Sequence, residues 1–146
     1  MAALLGSYSP NDINISVNKI PISGFAPGTF VTVSYQSDAA TMVEGSDGTP
    51  AISFRRGARG GTVKFTLMQT SLSNNVLSAL LNGQKFAASG GASVECAVSN
   101  AQGGESAIMP RGAFAKEPDL TYAEGVESRE YTLIGQIFTD YAGNEV

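Results

Sequence analysis

The sequence holds no histidine and no tryptophan, and its only cysteine is Cys96. Without histidine the chain lacks the side chain most used as a general base near neutral pH and as a metal ligand. A zinc site needs several Cys or His ligands, so that class is excluded. A single cysteine makes no internal disulfide. Cys96 alternates with Val94 and Val98 along an apolar strand face, which points to a packed thiol and not a nucleophile. Charge is scarce too, at 15% of residues against about 25% in an average soluble domain. A small soluble monomer normally keeps a charged surface, so so little charge suits an exterior covered by neighbouring subunits. The formal net charge is −4, and no strong basic field is present to hold a phosphate backbone. No run approaches the ~20 apolar residues of a membrane-crossing helix. The opening MAALLGSYSP lacks the basic start and apolar run of a signal peptide.

What is present is a chain of 146 residues, 42% apolar, which is enough for a real core in one domain. Its clearest stretch is GTVKFTLMQTSLSNNVLSALLNG, Gly61 to Gly83. Val63, Phe65 and Leu67 alternate with Thr62, Lys64 and Thr66, which predicts a strand with one buried and one polar face. After Gln69 the period changes. Leu72, Val76, Leu77, Leu80 and Leu81 form one helical stripe, with Ser71 as N-cap and Asn82-Gly83 as the stop. So short a helix needs a sheet to lie on.

Further strands are predicted around Ile13–Val17, Thr29–Tyr35, Ala92–Val98 and Arg129–Phe138, the last one central and covered on both sides. Ile20-Pro21-Ile22 reads as a weak continuation of the first strand. Glu105–Met109 reads as a short strand ended by Pro110, and Phe114–Tyr122 as irregular. Thr41–Glu44 and Ala51–Phe54 make a hairpin whose Asp47-Gly48 suggests a type I′ turn. Its arms carry little apolar bulk, and it is expected to project and settle on a partner. The fold class is mainly β, an antiparallel β-barrel or sandwich with one packed α-helix.

Catalytic motifs are missing. Arg59-Gly60-Gly61 and Ser89-Gly90-Gly91 do not match a phosphate loop. Glu117, Asp119, Glu124, Glu127 and Glu130 cluster, but without EF-hand spacing, and read as a solvated acidic loop. Arg55, Arg56, Arg59 and Lys64 form a complementary basic region. In an assembly, the basic loop of one subunit meets the acidic segment of another, setting register more than affinity.

GTFVTVSY (Gly28 to Tyr35), the segment from Asp38 through Gly45-Ser46-Asp47-Gly48, and above all Gly61 to Gly83 resemble the tail tube proteins of contractile-tailed bacteriophages. The resemblance covers Ser7 to Gly83 and continues more loosely through Glu117-Pro118-Asp119 to Phe138; the section from Phe86 to Gly112 does not match well. It implies a single tail-tube-like domain over 1–146, with 1–10 and 143–146 flexible or ordered only on assembly. Six copies would form a ring, with their sheets joined around a lumen, and rings would stack into a tube inside a sheath. The implied partners are further copies of the chain, the tail sheath, tail initiator or baseplate and terminator proteins, and DNA in transit, with no membrane. The implied place is the virion tail, assembled in the bacterial host cytoplasm.

Lumens of such tubes are usually acidic, which the net charge fits. The polar strand faces supply the lumen-facing candidates Thr32, Ser34, Thr62, Lys64, Thr66, Ser93, Glu95, Thr132 and Gln136. Lys64 is the exception in an acidic lumen and is expected to pair with a carboxylate such as Glu95 or to sit at the rim. Inter-ring and inter-subunit candidates are Glu44, Asp47, Arg55, Arg56, Arg59, Glu117, Asp119 and Glu124. No catalytic residue, metal ligand or cofactor is expected. The alternatives are the tube subunit of a tailocin or secretion-type injection machine, and a β-sandwich ligand-binding module. The latter is disfavoured by 8% aromatic content.

Overall fold

The computed structural model describes residues 9–55, 59–85, 93–101 and 104–141. In chain order run β1 (Ile13–Val17), β2 (Ile20–Ile22), β3 (Val31–Tyr35), β4 (Ala40–Glu44), β5 (Pro50–Phe54), β6 (Gly60–Met68), α1 (Ser73–Lys85), β7 (Val94–Asn100), β8 (Ser106–Lys116), β9 (Ser128–Gln136) and β10 (Phe138–Asp140). An eight-stranded antiparallel sheet has the order β2-β1-β7-β8-β9-β6-β3, with β10 on β8. β10 continues β9 beyond Ile137. β8 faces β9 from Lys116↔Thr132 to Gly112↔Gly135, then β10 from Ile108↔Phe138 to Ser106↔Asp140. Among the described residues β2 and β3 end the sheet without pairing to each other, so it is sandwich-like and not a closed barrel.

Alternation decides which face is buried. On β6, Val63, Phe65 and Leu67 are buried while Lys64 is exposed. Tyr131, Leu133 and Ile137 join them, with Met109 and Phe114 of β8 and Ile15 and Val17 of β1, in one core cluster. The Phe65 and Tyr131 rings stack at 5.6 Å, and Phe114 meets Tyr131 edge-on at 6.4 Å. Such pairs add to the burial of their area.

The helix packs its Leu77 fully into this core, with Leu80 and Leu81 partly buried against it. Ser71 Oγ accepts from Ser73 N (3.2 Å) and donates to Ser23 O (2.6 Å), tying the first turn to the loop after β2. The helix runs past the expected Asn82-Gly83 stop. Gln84 explains this: its Oε1 accepts from Phe114 N (2.8 Å) and its Nε2 donates to Phe114 O (3.0 Å), so the amide pairs with β8 as a strand would. Leu72, expected on the buried stripe, is 82% exposed, because it lies in the turn before the helix and outside the helical phase. Ser73 and Asn74 are buried in that region.

Other expectations are corrected at turns and bulges. Ile20–Ile22 is a separate strand folded back on β1, with Asn18 and Lys19 at φ 51° and 66°. Asn tolerates that left-handed geometry, which makes the tight turn possible. Pro110 does not end a strand: β8 passes through it to Lys116. The register against β7 shifts between Met109↔Cys96 and Gly112↔Val94, so Pro110 and Arg111 sit in a bulge where a missing N–H costs no ladder bond. The loop expected from Phe114 therefore begins only after Lys116. β9 is central in the sheet, but it is covered on one side only, since Ile134 is 40% exposed, as is Phe138 at the start of β10. Of the termini expected to be flexible, Ser9 and Pro10 are described. Ser9 Oγ caps a 3-10 turn over Pro10–Asp12, and residues 1–8 and 142–146 lie outside the described residues.

Candidate assembly surfaces

The face of the sheet opposite the core gathers the polar residues of β3, β6 and β9. Thr32 pairs with Lys64, Lys64 with Thr132, and Thr132 with Lys116, so one row crosses β3, β6, β9 and β8. The next rows hold Ser34, Thr62, Ile134 and Ala113 on one side, and Thr66 with Glu130 on the other. Gln136 stands opposite Gly60 at the end of β9. Thr32, Ser34, Thr62, Lys64, Thr66, Thr132 and Gln136 thus share one surface. Glu95 is on the non-core side of its own strand, β7, and Ser93 lies just before that strand. The pairing expected between Lys64 and Glu95 is not found, because β9 and β8 intervene between β6 and β7. Strands about 4.8 Å apart leave that gap too wide for an ion pair.

The charged segments lie at opposite ends of β6. Arg59 directly precedes it, and its guanidinium sits 4.9 Å from the centre of the Phe138 ring, a cation–π contact. Arg55 follows β5 and is exposed, while Arg56 lies outside the described residues. At the far end Glu117 pairs with Lys85 (3.1 Å) and Asp119 with Lys116 (3.7 Å), all largely exposed. Glu124 is exposed in a bend of the same loop. This loop and the sheet enclose a polar cleft lined by Thr66, Lys116, Asp119, Glu127 and Glu130, among others. Nine strand residues span roughly 30 Å, so within one subunit the basic and acidic segments do not meet.

Among the described residues the β4–β5 hairpin pairs only with itself, in the register Ala40↔Phe54, Met42↔Ile52 and Glu44↔Pro50. Its turn is longer than the type I′ form expected. Gly48 N donates to Gly45 O (2.9 Å), Gly45 N to Thr49 O (2.8 Å), and only Gly48 has positive φ, at 85°. Asp47 Oδ1 accepts from Thr49 N (3.0 Å), and this bond holds the Asp47 carboxyl below its ordinary pKa. A side chain that bonds its own turn favours this geometry over the two-residue one. Glu44 ends β4 beside that turn.

Met42, Ile52 and Phe54 share one face of the hairpin and are 64%, 61% and 78% exposed. That apolar face was not anticipated, although the alternation Ala40, Met42, Glu44 and Pro50, Ile52, Phe54 carries it. A second unanticipated feature is a groove of about 190 Å³ between β3 and the β1–β7 side of the sheet, lined largely by apolar atoms. Among the described residues no group of His, Cys, Asp and Glu is placed to hold a metal ion.

The model of the family described as "Bacteriophage PhiTE tail tube protein" matches residues 7–139. No curated protein is similar enough in sequence to count as a match. Among solved structures, a chain of the cryo-EM structure of the anti-feeding prophage cap (AFP tube terminating cap) aligns over 96% of this chain and 95% of its own, with a TM-score of 0.65 and 7% identity. A chain from the PVC sheath/tube terminator of an extracellular contractile injection system, in the extended state, aligns over 94% and 99% with a TM-score of 0.58 and 12% identity. One from the sheath–tube complex of the PVC system aligns over 92% and 91%, at 0.60 and 11% identity. At such identities the likeness shows a common fold.

Proposed function

The chain belongs to the phage tail tube family whose model spans it from residue 7 to 139, and from that premise we propose that six copies form a ring and that rings stack into a DNA-conducting tube. As a member it is a structural tail tube protein, and its place is the virion tail. The observation that supports a conduit is the polar row Thr32, Lys64, Thr132 and its neighbours, continuous over four strands and opposite the largely apolar core. Hydroxyl and amide side chains bind water well and offer a passing polyanion little to grip. Lys64 and Lys116 set against Glu130 leave the face mixed in charge, with the surplus acid in the loop at one end. The acidic lumen implied by the resemblance is thus a ring of carboxylates near one rim, and hydroxyls cover most of the wall.

Charge separation along β6 suits head-to-tail stacking. The Arg59 end of one ring faces the Glu117, Asp119 and Glu124 loop of the next, and attraction between them fixes orientation and register. The projecting hairpin, with Glu44 and Asp47 at its tip, is the inter-subunit arm. A surrounding sheath and a terminator are the partners, in keeping with the sheath–tube and terminator assemblies that hold similar folds. Assembly takes place in the host cytoplasm. A tube subunit of an injection machine is the second reading, since each of those neighbours comes from such a system or an anti-feeding prophage.

Negative-stain microscopy with light scattering of the purified chain tests the proposal. Rings or tubes are expected, alone or after addition of a tail initiator. A 15.1 kDa monomer at every concentration, with or without the initiator, contradicts it.

A further inference from the structure

The apolar face of the hairpin and the groove beside β3 are complementary features of one chain. The hairpin offers Met42, Ile52 and Phe54 uncovered, followed directly by Arg55. The groove has Val31, Val33, Val98 and Ala107 among its lining, while Glu105 and Asp140, both exposed, stand at its edge. Asp140 pairs with Ser106, the residue after Glu105, so both acidic residues belong to the same end of the groove. The groove lies where β3 ends the sheet, so among the described residues one wall is an edge strand. About 190 Å³ is room for a ring, since a cavity of ~150 Å³ accepts benzene. Exposed apolar patches of this kind mark contact sites, and a patch matching a pocket elsewhere on the same molecule makes a heterologous contact that propagates from copy to copy.

We propose that the hairpin of one subunit seats in the β3 groove of a second copy, with Phe54 on the apolar floor and Arg55 on the carboxylates at the edge. The contact rests on the assembly role proposed above: Ile137 N donates to Arg59 O and Gln36 N to Gly60 O, so the groove and the root of the hairpin lie at one end of the subunit, and the second copy is a neighbour in the same ring. The hairpin adds nothing to the core, so changes in it leave the subunit folded. Phe54→Asp is expected to raise the concentration needed for assembly about tenfold or more, as for a buried aromatic anchor. Arg55→Glu and Glu105→Arg are each expected to weaken assembly, and the two together to recover much of it. In a mixture of Phe54→Cys and Tyr141→Cys chains, mild oxidation is expected to link the two variants in the assembled state. Circular dichroism checks folding throughout.

Normal assembly by folded Phe54→Asp, or no cross-link in tubes that microscopy shows to be intact, overturns the socket and leaves the tube role standing. Failure of the unaltered chain to assemble at all overturns both.

Discussion

Asn74 shows how much a single buried polar side chain carries. Its Nδ2 donates to Met68 O (3.0 Å) and its Oδ1 accepts from Tyr131 OH (2.8 Å), so it binds the β6–α1 turn to β9 inside the core. Asn74→Ala leaves the Tyr131 hydroxyl and the Met68 carbonyl without these partners, and is expected to cost ~1–3 kcal/mol in urea unfolding. Tyr131→Phe removes only the hydroxyl, and the double variant is expected to cost less than the sum. Additive losses would show that the two groups act separately. Nothing in the linear pattern distinguished Asn74 from Asn75, because the distinction depends on which helix face meets Tyr131.

Cys96 gives a pH signature. Burial pushes its thiol from 9.0 up to about 12. Below pH 9 the thiol is neutral whether the chain is folded or not, and it adds no pH dependence. Between pH 9 and 12 the unfolded chain ionises while the folded one keeps its proton, so stability falls as pH rises. Measured between pH 8 and 11, the stability of the native chain is expected to fall relative to Cys96→Ala. Parallel curves for the two would mean that the thiol reaches water.

Elements whose pattern is local were legible in the sequence. β1, β3, β6 and β9 follow period two; Val17, Phe65, Leu67 and Leu133 are buried as the alternation requires, and Val31 and Val33 of β3 are partly buried. The helix was legible in its Leu77 face but not at its ends, which depend on Gln84 reaching Phe114 and on Ser71 reaching Ser23. β8 was not legible, since Pro110 normally ends a strand and only a bulge, a property of two partners, accommodates it. The polar face was legible for the same reason as the core: one alternation fixes both. The groove was not, because it joins β3 to strands far away in sequence.

A glycine row shapes the sheet at the same scale. Gly61, Gly135 and Gly112 stand opposite one another on β6, β9 and β8. A Cβ on Gly61 would run into the Ser34 carbonyl and Ile137 Cδ1, and one on Gly135 into the Arg111 carbonyl. The row therefore lets the strands curl tightly over Met109 and Ile137, a bend that side chains would prop open. Gly61→Ala is expected to destabilise the fold by ~1–3 kcal/mol through overpacking, read by thermal or urea unfolding. Unchanged stability would mean that the sheet shifts freely there.

At the scale of the whole molecule, the structure divides its surfaces by task. A core packed on one face of the sheet frees the other face for water, and segregation of charge to the two ends of β6 gives the subunit a direction. The hairpin, with its apolar side chains in the open, fits the proposed assembly of further copies. The scarcity of charge agrees with this, since a surface that becomes interface needs little of it. The central claim is that the polar face of β3, β6 and β9 lines the lumen of the tube. A cryo-EM reconstruction of assembled tubes tests it most directly: the claim predicts Thr32, Lys64 and Thr132 on the inner wall, and finding them on the outer surface or packed between subunits would contradict it.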